Sequence, residues 1–238
     1  AECSFHYDHW GEIFRTALDR GYQIVTLADW FAGRYDPARK VLVNRMDVDD
    51  HIERLWIMRD ILAGLGVRAS IFFRLHAQAY NLLFFDHVNL VRALAADGHE
   101  IGLHSEIEDL SHICRLEAEQ ALRAEIALFG DLLGAPVRGV ASHGDITPYN
   151  NLDFWKDHTP ADFGLLYEAY DRPLWTGSRY VSDSEYTRWK AYEGGELRQG
   201  DRRCACEHLR EGASPIYLLT HTCSWYRRHI HEQCVYDS

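Results

Sequence analysis

The sequence lacks several features that would place it in a specialised class of protein. No apolar run approaches the roughly 20 residues that a membrane-spanning helix needs, and we therefore expect no membrane span. Basic residues are outnumbered, because 25 Lys and Arg stand against 36 Asp and Glu, and the formal net charge is −11. This charge argues against a nucleic-acid-binding surface, which needs clustered Lys and Arg, and against a polybasic membrane patch.

The six cysteines do not form a recognisable metal or redox motif. No pair has the C-x-x-C spacing of a zinc knuckle or a redox centre, and Cys204-Ala-Cys206 is too tight for an ordinary chelate. We therefore expect free thiols in a reducing compartment, and a cytoplasmic location. The first residues do not have the pattern of a secretory leader. Because residue 1 is not Met, the sequence leaves open whether the natural chain extends upstream of Ala1.

Helical and strand-like segments alternate along the chain, without a repeat or a low-complexity linker. The 238 residues, of which 47% are hydrophobic, are enough for one sizeable core, and we expect a single domain over residues 1–238. The alternation predicts an α/β fold with a parallel sheet and outer helices, either open or closed into a barrel. Strands are predicted at 23–27, 41–46, 68–73, 100–103, 137–141, 163–167 and 216–220, helices at 5–20, 50–65, 86–96 and 114–133, and irregular structure at 145–160 and 171–212.

Three predicted strands end in acidic residues or histidines. Asp47 and Asp49 follow one apolar strand, and a period of two puts both on one face. His104 and His221 end two other strands. Because the carboxyl ends of parallel strands are where sites are built, we expect these side chains to converge. Two adjacent carboxylates repel each other unless a cation or a proton lies between them, so the group indicates a metal site; the alternative is that the aspartates only cap a helix.

These segments, in this order, resemble the polysaccharide deacetylases of carbohydrate esterase family 4. Residues 43–49 (VNRMDVD) are similar to the first motif of that family in its Asp-x-Asp form, and residues 98–104 (GHEIGLH) match its second motif closely. Residues 138–144 (RGVASHG) resemble the third motif, and residues 218–221 (LLTH) the last. The resemblance covers most of the chain and implies a distorted (β/α) barrel with seven or eight strands.

The resemblance also implies an activity and a set of residue roles. The activity is metal-dependent removal of an acetyl group from an N-acetylated sugar, with a divalent ion, zinc, as the cofactor. Asp47 would be the general base, and Asp49 and His104 would be metal ligands. His221 would be the general acid that protonates the departing amine, and Arg138 would bind substrate or orient Asp47.

The chain departs from the family at the third metal ligand. Family members usually have a second His four residues after position 104, where this chain has Glu108. A carboxylate can ligate zinc, so Glu108 and Glu106 are both candidates, as is His143 in the third motif. We favour His143, because a second imidazole keeps the charge of the site closer to that of an Asp-His-His set.

Aromatic residues crowd the second half of the chain. Their faces suit the apolar faces of sugar rings, although such residues also pack in protein cores. Trp225, four residues after His221, is our candidate for a substrate contact near the site. The others are Trp155, Tyr170, Trp175, Tyr180, Trp189 and Tyr226, and the charged residues that could bind sugar hydroxyls among them are Asp171, Arg172, Asp183 and Arg188.

Two other functions are compatible with the same residues. One is hydrolysis of a non-sugar amide or a cyclic imide. The other is a carbohydrate-binding barrel that has lost catalysis, which the replacement at Glu108 suggests. The partner expected for the leading hypothesis is a carbohydrate or sugar-conjugate substrate, and the sequence fixes neither the particular sugar nor the oligomeric state.

Overall fold

The computed structural model of the protein describes residues 3–184 and 188–228, so Ala1 and Cys234 lie outside the described residues. Within these two ranges, no helix is both long and apolar enough to cross a membrane. The α-helices are α1 (Tyr7–Asp19), α2 (Leu27–Phe31), α3 (Leu55–Leu65), α4 (Phe85–Ala96), α5 (Ile107–Cys114), α6 (Ala118–Asp131), α7 (Arg172–Gly177) and α8 (Ala205–Glu211).

The strands form one mostly parallel sheet of ten strands. They are β1 (Gln23–Val25), β2 (Val41–Val48), β3 (Ser70–Phe73), β4 (Glu100–Ser105), β5 (Gly139–Ser142), β6 (Tyr167–Glu168), β7 (Arg179–Ser182), β8 (Lys190–Glu193), β9 (Glu196–Leu197) and β10 (Ile216–His221). The order is β6-β5-β4-β3-β2-β10-β7-β8-β9, and β1 pairs in parallel with the start of β2. The hairpin strands β8 and β9 run antiparallel to their neighbours.

The central strand β2 is buried along its whole length because both faces of the sheet are covered. Leu42 and Met46 pack into the core that the outer helices share, while Val41 and Val43 pack into an inner cluster on the other face. The period of two then places Arg45 on the same inner face as the two valines. The inner face of this strand therefore changes from apolar to charged toward its carboxyl end.

The inner face of the sheet packs on itself, as it would in a barrel. Tyr167 of β6 belongs to the same inner cluster as Tyr180 of β7 and Tyr217 of β10, although β6 is at one end of the strand order. The α/β class and the parallel sheet are confirmed. Among the described residues no backbone pairing joins β6 to β7, so closure of the predicted seven- or eight-stranded barrel is not observed.

The segment predicted as irregular, 171–212, is where the structure differs most from the sequence prediction. It contains α7, the three strands β7, β8 and β9, and α8. The turn between β8 and β9 could have been predicted, because a Gly-Gly pair is typical of a two-residue hairpin; Gly194 and Gly195 have positive φ angles of 63° and 85°. The strands themselves could not, because two to four residues are too few to show an alternation of apolar and polar side chains.

Two further predicted elements have different bounds in the structure. Cys114, the residue at which the helix 114–133 is predicted to begin, is instead the last residue of α5, because Arg115 takes a left-handed conformation with φ of 56°. The next helix, α6, begins after Glu117, whose carboxylate accepts the backbone N–H of Gln120. The strand predicted at 163–167 begins only at Tyr167, since a 3-10 turn occupies Pro160–Phe163.

Candidate active site

Five of the seven predicted site residues meet at the carboxyl end of the parallel strands. Asp47 lies near the end of β2, opposite His221 in the pairing of β2 with β10. Asp49 follows the same strand β2, and its carboxylate lies within 4 Å of the imidazoles of three histidines from three other strands or their ends. These histidines are His104, His143 and His221. The rule that sites form at this edge of a parallel sheet therefore applies here.

Asp47 forms a buried, two-point ion pair with Arg45. The guanidinium Nε donates to Oδ1 at 2.8 Å, and a terminal nitrogen donates to Oδ2 at 2.7 Å. The other terminal nitrogen donates to the Tyr217 hydroxyl at 3.0 Å, and the ring of Tyr170 lies 4.7 Å from the guanidinium carbon. Burial alone would raise the pKa of Asp47, but Arg45 and then His104 hold that pKa far below its usual value. Asp47 is therefore ionised over the physiological range.

His104 lies between the two carboxylates. Its Nε2 is 3.2 Å from Asp47 Oδ2 and 3.3 Å from Asp49 Oδ1. Its Nδ1 is 2.7 Å from the carbonyl oxygen of Ala141 and donates to it, which leaves Nε2 directed at the aspartates. Burial opposes a charge on this ring, yet the carboxylates, Asp47 first, raise the pKa of His104 to about 10. The pair of carboxylates thus attracts positive charge, from a proton or from a cation.

His143 completes a group of donor atoms suited to a metal ion. One ligand atom from each of Asp49, His104 and His143 lies within 4.8 Å of the other two. The Nε2 of His143 is 3.7 Å from Asp49 Oδ1, and the two imidazole rings are nearly perpendicular, with centroids 5.0 Å apart. Asp49 Oδ1 is buried and has no hydrogen-bond partner. An unpaired buried carboxylate oxygen facing two imidazoles fits a divalent ion, because one acid and two histidines are a common catalytic zinc set.

The two glutamates considered as third ligands have other positions. Glu108 lies in the first turn of α5, and its carboxylate is 3.8 Å from Nδ1 of His112. Glu106 lies behind His143, with Oε1 at 3.3 Å from His143 Nδ1 and at 2.6 Å from a terminal nitrogen of Arg74. Glu106 is therefore placed to orient the imidazole of His143, which is the usual task of a carboxylate behind a metal-ligating histidine.

The loop that carries His143 is fixed by one buried aspartate and one asparagine. The carboxylate of Asp109, in α5, accepts the backbone N–H groups of Ile146 and Thr147 at 3.1 and 2.8 Å. The side-chain amide of Asn151 donates to Asp109 at 2.7 Å and to the carbonyl of His143 at 3.2 Å. The loop after β5 is thus tied to α5, and the position of His143 does not depend on a ligand.

His221 is held from behind by Asp183, the residue after β7. Nδ1 of His221 lies 2.6 Å from Asp183 Oδ1, and the indole Nε1 of Trp225 donates to Asp183 Oδ2 at 2.8 Å. The other imidazole nitrogen, Nε2, lies 3.9 Å from Asp49 Oδ2. Burial works against protonation, but Asp183 and then Asp49 raise the pKa of His221 above its usual value. The imidazole is oriented with Nδ1–H on the carboxylate and Nε2 toward the cavity.

The predicted role of Trp225 does not agree with its position. Its side chain has no exposed surface and hydrogen bonds Asp183, so it supports His221 and makes no wall of the cavity. Asp183, which we had considered for sugar hydroxyls, is also fully buried. The contact between Asp183 and Trp225 could not be predicted from the sequence, because 42 residues separate them.

Arg138 is also not at the site. It is exposed and precedes β5, at the end of the sheet opposite Asp47, where it lines a separate cavity with Arg34 and Arg68. The arginine that binds Asp47 is Arg45, two residues before it on the same strand. The sequence contained the signal for this pair, since residues i and i+2 of a strand share a face.

The cavity above the carboxylates measures about 330 Å³. One wall is aromatic, with Tyr170, Trp175, Tyr180 and Tyr192, and Lys190 is the one Lys or Arg among its described lining residues. A second cavity of about 440 Å³ shares Tyr170, Trp175 and Tyr192 and is also lined by Trp155. The two cavities adjoin at these three aromatic residues, beside Asp49, His104 and His143. The volume of each lies within the range of small-molecule sites.

The first prediction concerns the buried ion pair. Replacing Arg45 with Met in the metal-free protein should lower the free energy of unfolding by about 3–5 kcal/mol, because Asp47 is left buried and unpaired. The matched control is Arg138→Met, which removes an exposed guanidinium and should change stability by less than about 0.5 kcal/mol. Denaturant titration of both variants measures the difference. Equal losses would mean that Arg45 contributes no more than a surface arginine.

The second prediction concerns the third ligand. His143→Ala should weaken zinc binding by at least about 10-fold, since even an outer-shell partner is worth that much, whereas Glu108→Ala should leave the affinity within a factor of two or so of the parent. Competition with a chromophoric chelator measures both affinities. A larger loss of zinc affinity in Glu108→Ala than in His143→Ala would mean that Glu108, at the position where the family usually has histidine, is the third ligand.

Comparisons with known proteins give only distant structural likenesses. No protein-family model matches the chain, and no curated protein matches it. The Streptococcus pyogenes deacetylase PplD, solved in complex with acetate, is 16% identical with a TM-score of 0.45 over 59% of this chain and 64% of that one. The chitin deacetylase of the fungal pathogen Colletotrichum lindemuthianum is 18% identical with a TM-score of 0.40 over 82% of this chain and 76% of that one. Both structural neighbours are deacetylases, and this chain spans less than two thirds of the first.

Proposed function

We propose that this protein is a metal-dependent hydrolase that removes an acetyl group from an N-acetylated sugar of a glycan or glycoconjugate. The proposal treats the chain as one catalytic domain of the polysaccharide deacetylase type, located in the cytoplasm. The observation that carries it is the donor group of Asp49, His104 and His143, with an ionised acid, Asp47, 3.2 Å from His104 and a histidine with a raised pKa, His221, 3.9 Å from Asp49. A base and an acid beside a metal-ligand group are what hydrolysis of an amide needs.

A divalent ion, for which zinc is our proposal, would be held by Asp49, His104 and His143. When bound, such an ion lowers the pKa of water and polarises a carbonyl group. Nδ1 of His104 is already committed to the Ala141 carbonyl, so its Nε2 can serve as a lone-pair donor. The donor set is complete without Glu108, which removes the reason to regard the site as one that has lost catalysis.

Asp47 is the base in this proposal. Both of its oxygens are occupied by Arg45, which fixes the carboxylate plane and keeps it ionised. Part of the depression of the pKa of Asp47 comes from His104, and a His104 that uses Nε2 as a ligand is neutral. The ion would then take the place of the imidazolium charge beside Asp47, and Arg45 would keep the carboxylate oriented and ionised, able to accept a proton from water.

His221 is the acid. Its Nδ1–H is bound by Asp183, so the proton that it can release lies on Nε2, on the cavity side. The raised pKa of His221, which Asp183 and then Asp49 cause, favours the protonated ring. An amine leaves a tetrahedral intermediate readily only after its nitrogen has been protonated, and Nε2 is the donor that this chain directs at the cavity.

An acetylated sugar is the substrate class that suits the walls of the cavity. Tyr170, Trp175, Tyr180 and Tyr192 offer aromatic faces for the apolar faces of sugar rings. The continuation past Trp155 provides room for a unit beyond the reacting one, which favours a glycan over an isolated monosaccharide. A backbone N–H beside Gly144, which also lines the cavity, is our candidate for stabilising the developing oxyanion.

Release of acetate from an N-acetylglucosamine oligomer by the zinc-loaded protein tests the proposal. Asp47→Asn should keep its zinc and lose at least about 10²-fold in rate, the usual scale for a positioned base. Glu108→Gln is the matched control, because it also removes a carboxylate charge from this edge of the sheet but outside the cavity. Turnover of a cyclic imide without acetate release would replace the proposal, and loss of zinc in Asp47→Asn would mean that Asp47 is a ligand.

The fourth prediction uses the leaving group to test His221. His221→Ala should retain zinc and lose most amide turnover, whereas an O-acetyl ester, whose alkoxide leaves with less help, should be affected less. Rates on both substrates and the zinc content are measured on the same preparation. Equal losses on amide and ester would assign His221 to positioning of the substrate and exclude it as the proton donor.

A further inference from the structure

A second group of potential metal ligands lies away from the candidate active site. Cys3 precedes α1, His9 lies in its first turn, and Cys204 is the residue before α8. One ligand atom from each of these three residues lies within 4.8 Å of the other two. His9 also forms a similar group with Glu12 and Cys206. The sequence predicts free thiols here, because no pair of cysteines has the C-x-x-C spacing and Cys204-Ala-Cys206 is too tight for an ordinary chelate.

The imidazole of His9 is prepared for a ligand that the protein itself does not provide. Its Nδ1 lies 2.9 Å from Glu12 Oε2, so the proton is on that side. Its Nε2 is buried and has no hydrogen-bond partner among the described residues. A carboxylate on one imidazole nitrogen and an unpaired second nitrogen directed at sulfur is the arrangement of a metal-ligating histidine.

The sulfurs of Cys3 and Cys204 lie beside the imidazole of His9. The indole Nε1 of Trp189 donates to Cys3 Sγ at 3.1 Å. Cysteine sulfur and histidine nitrogen are the usual ligands of structural zinc sites. A disulfide would explain why two of these cysteines are close together, but not why the third cysteine and the imidazole are there too. A metal ion bound by all of them explains the whole group.

We propose that Cys3, His9 and Cys204 bind a structural zinc ion that fastens the segment before α1 to α8, with Cys206 as the fourth ligand. The first three residues form one group of donor atoms, and Cys206 belongs to the neighbouring group that His9 forms with Glu12. Cys206 is a better fourth ligand than Glu12, because its thiol is buried, whereas the Glu12 carboxylate is half-exposed and pairs with Arg210 at 2.6 Å. Three sulfurs and one imidazole are a tetrahedral zinc set, closed to substrate.

The zinc ion would stabilise the support of the catalytic acid. Trp189, which donates to Cys3, stacks on Phe5 with ring centroids 5.7 Å apart, and Phe5 lies 5.1 Å from Trp225. Trp225 in turn holds Asp183 behind His221. The packing of Trp189, Phe5 and Trp225 between the two sites therefore depends on the positions of the segment before α1 and of Cys204.

Cobalt substitution tests the site without measuring activity. The full-length protein, stripped of metal and titrated with Co²⁺, should develop the near-ultraviolet charge-transfer band that thiolate ligands give. His104→Ala should keep this band, because the active-site cluster contains no sulfur, so the test is independent of the proposed function. Cys204→Ser should lose the band, and Cys114→Ser, which removes an exposed thiol elsewhere, should keep it.

A second variant protects the test against failure of Cys204→Ser to fold. His9→Gln keeps all the sulfurs, and it should weaken Co²⁺ binding at this site by at least about 10-fold, as loss of even an outer-shell partner does. Absence of the band from the wild-type protein, an unchanged band in Cys204→Ser, or unchanged affinity in His9→Gln would each overturn the proposal.

Discussion

The candidate site depends on the buried ion pair between Arg45 and Asp47. Two opposite charges on adjacent inward positions of one strand are stable inside a sheet only if each satisfies the other, because an unpaired buried ion is costly. The pairing uses both oxygens of Asp47 and cancels its charge. The carboxylate of Asp49 instead faces the imidazoles of three histidines, and its buried Oδ1 has no hydrogen-bond partner among the described residues. One strand thus supplies two aspartates in different surroundings, which our proposal assigns to a base and to a metal ligand.

The three histidines also differ in the group that contacts Nδ1, the ring nitrogen directed away from the cavity. His104 donates to a neutral backbone carbonyl, which fixes its tautomer without favouring a charge. His221 donates to the carboxylate of Asp183, which stabilises the protonated ring. His143 faces Glu106, whose charge is shared with Arg74. The three rings therefore differ in the group that orients them: a neutral carbonyl for His104, a carboxylate paired with Arg74 for His143, and a carboxylate that Trp225 also contacts for His221.

Much of the fold and part of the site could be predicted from the sequence, and the reason is local periodicity. The strands that carry Asp47, His104 and His221 are apolar enough to recognise, and parallel pairing brings their ends together. Arg45 was missed although the same period predicts it. Asp183 could not have been found this way, because β7 has four residues in a region of polar and aromatic side chains. Contacts between distant segments, such as the one that places Trp225 on Asp183, leave no periodic signal.

The distant contacts matter because the role proposed for His221, a proton donor, needs a ring held more tightly than a strand end alone can hold it. His221 ends its strand, and its ring would be free to rotate if only the backbone positioned it. Asp183 fixes the ring, and Trp225 fixes Asp183 in a site without exposed surface. Trp225 is fixed in turn by Phe5, just before α1. The precision of the site therefore comes from a chain of packed residues that begins at the first described turn of the molecule, outside every motif that the sequence offered.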